Sequence, residues 1–313
     1  MDTFTIRSMR PEDRWEVAEL ICISMNYWYQ VHGFPMVFAA GPQSVVFRFD
    51  TYSELQGSSG IVVVDSETKH IIGSCFVHER PTHVSLGLIS VHPNHARIGV
   101  AGALLRAIVE KAEINGKPLR LVSSAMNMDS YSLFTRAGFT TVGVYQKMMA
   151  RVPAEGFKET YPASARVRPA KLSDLDAIID LERDVASIER PDDYRFFLRN
   201  GDGNWHVSVC EGVKKGGGDL DGVLVSCLHP TCNMIGPGSM RNSDSAIALL
   251  RAELNVNAGR SVSFLVSVGE HALVDRAYAW GARNCELHLA QIRGGQHMWA
   301  NGIVMPTFMP ESN

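Results

Sequence analysis

Cysteine is sparse in this chain. Its six cysteines, Cys22, Cys75, Cys210, Cys227, Cys232 and Cys285, form no C-x-x-C pair, which fits buried or free thiols better than disulfides or zinc. Cys227 and Cys232 are close enough in sequence to touch one metal, but no matching His/Cys pair follows them, so no metal centre is expected. No long basic run is present and the formal net charge is −3, which removes the electrostatic footprint of a nucleic-acid binder. No stretch has the uncharged apolar length of a membrane helix. The start, Met1-Asp2-Thr3-Phe4, has neither the charged nor the apolar part of a cleaved leader. A cytoplasmic protein is expected, with no nucleic-acid or membrane partner and with a homodimer left open. The 313 residues, 45% of them hydrophobic, suffice for two domains of ordinary size.

What is present centres on residues 84–105. Residues 84–91 are an apolar run of strand length, and Ala101, Leu104, Leu105, Ile108, Val109 and Ala112 then recur at helical spacing. Between them Pro93 ends the strand's ladder, while Gly99, Ala101 and Gly102 keep bulk away from the first helical turn. Bare N–H groups and the positive end of the helix dipole, about half an elementary charge, suit a phosphate or pyrophosphate. Small residues at such a turn also serve plain close packing, and both readings stand on the residues alone. Neither G-x-G-x-x-G nor G-x-x-x-x-G-K-[ST] can be laid on this stretch, which argues against a dinucleotide fold and a P-loop NTPase.

The stretch resembles motif A of the GNAT superfamily of acyl-CoA-dependent N-acyltransferases, V-x-P-x-x-[QR]-x-x-G-x-[GA]-x-x-L. Val91, Pro93, Gly99, Ala101 and Leu104 fall on that pattern; Ala96 departs from it, with Arg97 next door. Residues 127–139 resemble motif B, N-x-x-[AS]-x-x-L-Y-x-x-x-G-F. They read as a short helix with Asn127 or Asp129 as its cap, Leu133, Phe134 and Ala137 facing inward, and Gly138 as the left-handed residue that ends it.

In chain order, residues 3–7 read as a first strand, and Pro11-Glu12-Asp13 opens a helix that carries Trp15, Val17, Ala18, Ile21 and Cys22 inward. Tyr27, Trp28, Tyr29 and Phe34 crowd residues 25–35, either as an aromatic mini-core between helices or as a wall of an acceptor pocket. Residues 61–64 and 71–77 make two strands around the turn Ser66-Glu67-Thr68-Lys69. Residues 151–164 carry two prolines and a glycine without a period and read as a linker. After it, Val167-Arg168-Pro169-Ala170-Lys171-Leu172-Ser173-Asp174 repeats the pattern of Ile6-Arg7-Ser8-Met9-Arg10-Pro11-Glu12-Asp13, an internal repeat. Strands at 205–209 and 222–227 around a glycine turn at 216–218 follow. Then come a helix through Ala246, Leu249, Leu250 and Leu254, a strand at 262–266, and a last helix from Glu270 to Trp280-Gly281-Ala282 that mirrors Ala137-Gly138-Phe139.

The expected fold class is therefore α/β (α+β), as tandem GNAT folds, each with a mixed, mostly antiparallel central sheet flanked by helices. The domains are placed at 1–151 and 165–313, with 152–164 between them. The second reads as a degenerate copy. Where its phosphate loop should stand are residues 235–244, in which Pro237 donates no N–H and Asp244 would repel a phosphate while suiting a helix cap.

The resemblance implies that the first half takes acetyl-CoA as acyl donor. The acetyl group would pass to a primary amine of a small molecule or protein by direct attack in a ternary complex. The departures at Ala96 and Phe134 raise an alternative, a non-catalytic acyl-CoA-binding sensor or scaffold. By the same resemblance, the main chain of Ile89, Ser90 and Val91 pairs with pantetheine like an added strand and steadies the oxyanion. Arg97, Ile98, Gly99, Val100, Ala101 and Gly102 hold the pyrophosphate, and Asn127 and Phe134 belong with the cofactor arm. The family's general acid is the Tyr of motif B, where this chain has Phe134, so Tyr131, on nearly the same helical face, is the candidate acid. Glu79, His78 and His83 are candidate bases, with water as the other carrier of the proton. The amine itself is left open.

Overall fold

The computed structural model describes residues 3–213, 219–295, 302–308 and 311–312, so the glycine turn expected at 216–218 lies outside the described residues, as do Met1 and Asp2. The chain divides into two compact units, Met1–Leu119 and Arg120–Asn313.

In the first unit, β1 (Phe4–Ser8) passes through a 3-10 turn at Pro11–Asp13 into α1 (Arg14–Val31). There follow α2 (Gln43–Glu54), β2 (Ser58–Asp65), β3 (Ile71–Glu79), β4 (Val84–Val91), a second 3-10 turn at Pro93–His95, and α3 (Val100–Ile114). β1 to β4 pair antiparallel in chain order. The entry to α1 is fixed by Asp13, whose carboxylate accepts the Arg7 guanidinium at 2.7 and 2.8 Å and the Arg10 N–H at 2.7 Å.

Successive strand residues point to opposite faces, and β3 shows what each face meets. Phe76 and His78 lie 4.6 and 4.8 Å from the Tyr52 ring of α2, whereas Gly73 lies against Val100 and Leu104 of α3. The unit is thus helix, sheet, helix. Val17, Ala18, Ile21 and Cys22 are buried as expected; Trp15 is not. It is 58% exposed, under the Arg14 guanidinium at 5.2 Å, because the buried stripe of α1 begins only at Val17. Tyr27, Trp28 and Tyr29 sit in the last turns of α1. Trp28 stacks on His32 at 4.2 Å, and Tyr29 meets Phe34 at 6.1 Å. Tyr27 and Phe34 stay exposed, so the cluster is a partly open surface and no mini-core.

The second unit holds β5 (Leu119–Ser124), α4 (Met128–Arg136), β6 (Thr140–Arg151), β7 (Val167–Pro169), α5 (Leu175–Ala186), α6 (Pro191–Arg199), β8 (Trp205–Glu211), β9 (Leu220–Cys227), β10 (Met234–Met240), α7 (Ser243–Val256), β11 (Ser261–Ser267), α8 (His271–Ala279), β12 (Arg283–Arg293), β13 (Ile303–Met305) and the short pair β14 (Thr307–Phe308) and β15 (Glu311–Ser312). Its sheet runs β5-β12-β6-β11-β10-β9-β8-β7, with β13 on β10. Most pairs are antiparallel; β10 and β11 are parallel. β6 takes β11 on one side and β12 on the other, so the strand ending at Arg151 is built into a sheet with residues 261–293.

Leu249, Leu250 and Leu254 of α7 and Leu273, Val274 and Ala277 of α8 share one core with Phe264 and Met148. Residues 152–164 are tied to this core. Phe157 N–H donates to Asn255 Oδ1 at 2.7 Å, and the Phe157 and Tyr161 rings lie 5.7 and 6.0 Å from Trp280. The repeated pattern folds as it did in the first unit: Asp174 accepts Arg168 at 2.8 and 3.0 Å and the Lys171 N–H at 2.7 Å. Residues 235–240 are buried strand where a loop was expected. Asp244 is not the cap of α7. Asn242, directly before the helix, takes that place and accepts the Ser245 N–H at 2.9 Å, whereas Asp244 already stands inside the first turn. Among the described residues no helix is long and apolar enough to cross a membrane.

Candidate functional site

The site begins at an irregularity in β4. Cys75 faces Ile89 and Val77 faces Leu86, so Phe76 alone opposes both Gly87 and Leu88. Such a bulge leaves one residue out of the ladder and re-aims the strand. A glycine inside an apolar strand signals it, and Gly87 is that glycine.

Beyond the bulge β4 ends at Val91, opposite Gly73. His92 N–H donates to Ile72 O at 2.9 Å, and its ring Nδ1 accepts the Asn94 N–H at 3.3 Å. Burial, and after it the neighbouring His95, pushes the His92 pKa down. After the 3-10 turn, Arg97 and Gly99 take positive φ values of 67° and 93° on either side of Ile98. Alternating backbone of this kind gathers successive N–H groups into an anion-binding concavity. The ladder of α3 starts with Ala103 N–H to Gly99 O at 2.9 Å. Among the described residues, the N–H groups of Arg97, Ile98, Gly99, Val100, Ala101 and Gly102 donate to no backbone carbonyl, and Arg97, Ile98 and Gly99 are exposed.

The glycines separate the two readings of the loop. A Cβ at Gly99 would meet nothing within 4 Å, and one at Gly102 only Arg106 Nη1 at 3.4 Å; at Gly73 it would stand 2.5 Å from Val100. Close helix–strand packing therefore rests on Gly73, and the loop glycines face open space.

Of the candidate bases, Glu79 lies four residues along β3 from Cys75, which faces Ile89, or about 14 Å at 3.4 Å per residue. Its carboxylate accepts Asn115 Nδ2 at 3.1 Å and Lys117 Nζ at 3.2 Å, with Lys111 Nζ at 3.9 Å. His83 is fully buried, with Nδ1 3.0 Å from Thr82 Oγ1. His78 is buried beside Ser58 Oγ, 2.7 Å from Nδ1.

The motif B residues belong to the second unit. Asn127 caps α4 by accepting the Ser130 N–H at 3.0 Å, with Asp129 in the first turn. Phe134 is buried, its ring 5.8 Å from Phe139, and Gly138 ends the helix with a φ of 87°. Tyr131 is half-buried with its hydroxyl 3.5 Å from Thr141 Oγ1. One constellation thus joins residues 89–91 to 97–102, and another joins Asn127, Tyr131 and Phe134. No cluster of His, Cys, Asp or Glu among the described residues could hold a metal ion.

Compared with family models, residues 23–139 match the acetyltransferase (GNAT) family. No curated protein matches the chain. Among solved structures, an inferred acetyltransferase from Pyrococcus horikoshii is 13% identical with a TM-score of 0.76, over 99% of this chain and 96% of that one. A GCN5-related N-acetyltransferase from Sphaerobacter thermophilus is 15% identical with a TM-score of 0.63, over 96% and 99%. A tandem GNAT protein from the clavulanic acid biosynthesis pathway is 13% identical with a TM-score of 0.60, over 94% and 99%. At these identities the likeness is one of fold, and it spans nearly the whole of each chain.

Proposed function

We propose that the protein carries a GNAT acetyltransferase domain, a reading supported by the family match over residues 23–139 and by the likeness in fold to a tandem GNAT protein, and that its first half binds acetyl-CoA and passes the acetyl group to a primary amine. The observation that carries this reading is the run of six N–H groups from Arg97 to Gly102, at the start of α3, that donate to no backbone carbonyl among the described residues. Each hydrogen bond from such a group to a charged phosphate is worth about 1.5–3 kcal/mol, and the helix dipole adds to them.

The main chain of residues 89–91 is proposed to pair with the pantetheine amides as an added strand would. The bulge at Gly87 and Leu88 frees backbone from the ladder beside the point where an oxyanion would form. The amine nitrogen attacks the thioester carbon, the C–S bond breaks, and the thiolate takes up a proton while the nitrogen loses one. Tyr131 is the proposed donor to the thiolate. Glu79 and His83 are the side chains proposed to receive the amine's proton. Glu79 is engaged by Lys117 and stands about 14 Å of strand from the position of Ile89, so water carries the proton to it.

The test is release of free thiol from acetyl-CoA and other acyl-CoAs over a panel of amines and polyamines, with calorimetry of acetyl-CoA alone. Amine-dependent thiol release is expected. Tight binding with no release from any amine would turn the reading to a non-catalytic binding module, and no binding would overturn it.

A further inference from the structure

The second half of the chain lends a strand to the sheet beside α4. β12 follows α8 as β6 follows α4, yet β12 lies between β5 and β6, where the Leu287 carbonyl accepts the Ala125 N–H at 2.9 Å. Ala125 stands two residues before Asn127, the cap of α4. Side chains of residues 283–293 are thereby brought to the turn that carries Asn127.

What arrives there is charged. Glu286 and His288 share one face of β12, with Glu286 Oε2 3.3 Å from His288 Nε2. Across the ladder Lys147 is opposite Glu286 and Tyr145 is opposite His288, and Lys147 Nζ comes within 3.6 Å of the same carboxylate. The Ser124 hydroxyl donates to Glu286 and accepts the Met126 N–H at 3.1 Å, which ties the carboxylate to the turn before α4. Burial works to raise the Glu286 pKa, but the hydrogen bond and charge of His288, with Ser124 and Lys147 after them, hold it below the usual carboxylate range. The opposite face of the same strands belongs to the proposed acid. Ser123 Oγ donates to Gln291 Oε1 at 3.0 Å, Gln291 is opposite Thr141, and Thr141 Oγ1 lies 3.5 Å from the Tyr131 hydroxyl. The cluster sits just inside the surface. Residues 283–285 are exposed, and the Lys147 side chain is 24% exposed where those of Glu286 and His288 are 3% and 6%. For packing alone, apolar side chains in place of such a buried ion pair serve as well or better, and perturbed ionisable groups gather where chemistry is done.

We propose that Glu286 and His288 are the acceptor end of the transfer site: the Glu286 carboxylate holds the acceptor as a primary alkylammonium, and the neutral His288 imidazole takes one of its N–H protons. An imidazole that donates Nε2–H to Glu286 keeps its lone pair on Nδ1, and that atom receives the proton. The freed nitrogen lone pair forms the N–C bond to the thioester carbon and the C–S bond breaks. The thiolate takes the Tyr131 proton, and the second nitrogen proton, lost to water, balances it. His288 thus stands ahead of Glu79 and His83 as first receiver of the amine's proton. The catalytic part rests on the proposed function; the capture of an alkylammonium by Glu286 does not.

In the free-thiol assay, Glu286→Gln and His288→Gln should each lower the amine-dependent kcat/KM by about 10²-fold with acetyl-CoA affinity unchanged. Glu286→Gln should act chiefly through the KM of the amine and His288→Gln through kcat, and the acid limb of kcat against pH should vanish in His288→Gln. A merely structural pair would lower the Tm and leave that limb in place; this result, or full rates in the folded variants, overturns the proposal. On the unaltered protein, the ring 15N shifts of His288 should move on saturation with butylammonium and stay still with butyltrimethylammonium, which has no N–H to give. A ring that ignores butylammonium, or answers both cations alike, overturns the proposal whether or not the variants fold. Failure of acetyl-CoA to bind would leave the ring response unchanged, whereas normal thiol release beside a silent ring would refute this inference alone, so the two failures are distinguishable.

Discussion

Replacing Gly99 separates what the loop does for the fold from what it does for a ligand. Its φ of 93° lies where an L side chain costs about 1–2 kcal/mol, and a Cβ there would touch nothing within 4 Å. Gly99→Ala should therefore lower the Tm by about 2–8 °C, keep the fold, and weaken acetyl-CoA binding by less than about tenfold. Gly99→Glu carries the same backbone cost and adds a carboxylate beside the amides proposed to hold the diphosphate. Two like charges about 4 Å apart at an effective dielectric of about 20 repel by about 4 kcal/mol, which is about 10³-fold in Kd. Calorimetry with acetyl-CoA, run on samples whose melting is recorded alongside, reads both quantities. Equal affinity of the folded Ala and Glu variants would refute the assignment of an anion to this loop.

Gly73→Ala should act in the opposite sense, because its Cβ would stand 2.5 Å from Val100: stability should drop by about 1–3 kcal/mol by denaturant titration, with a smaller loss of affinity than Gly99→Glu, and an unchanged midpoint would contradict the packing role. Tyr131→Phe should cut amine-dependent thiol release by about 10²-fold with acetyl-CoA affinity unchanged; an unaltered rate would leave Tyr131 only its contact with Thr141. His206 pairs through Nδ1 at 2.9 Å with the fully buried Glu253, which also accepts Ser226 Oγ at 2.5 Å, and that hydrogen bond raises the His206 pKa above 6.5. A raised folded pKa contributes stability that is complete below the unfolded value and lost as pH rises through the folded one, so Tm should fall as pH climbs past 6.5; a His206→Gln variant with a parallel pH profile would contradict this.

The parts of the fold that could be read from the sequence are those whose causes are local. Pro93, Gly99 and the apolar spacing from Ala101 to Ala112 define β4, the loop and α3 within one stretch of chain. The spacing of Arg7 to Asp13, met again at Arg168 to Asp174, marks the repeat because each ion pair closes over six positions. The helices Gln43–Glu54 and Leu175–Ala186 receive no assignment from the sequence, yet Val45, Val46, Phe49 and Tyr52, and Ile178, Leu181 and Val185, recur at helical spacing and are buried. What no local pattern in residues 140–151 could tell is that their partners are residues 261–267 and 283–293. The same holds for β13, which finds β10 across about sixty residues and is fixed by its neighbours' shape at Gly236 and Gly302. At the site, the bulge at Gly87 had its signal in the sequence. The engagement of Glu79 by Lys117 and Asn115 had none, since all three are ordinary surface residues until the chain has folded.

The proposed resting place of the acyl donor's diphosphate is read directly by amide chemical shifts in 15N-labelled protein. On addition of CoA, the largest changes should fall on the N–H groups of residues 97–102, with those at the start of α7, residues 243–246, unmoved. Changes centred on α7, or none at all at residues 97–102 under saturating CoA, would contradict it.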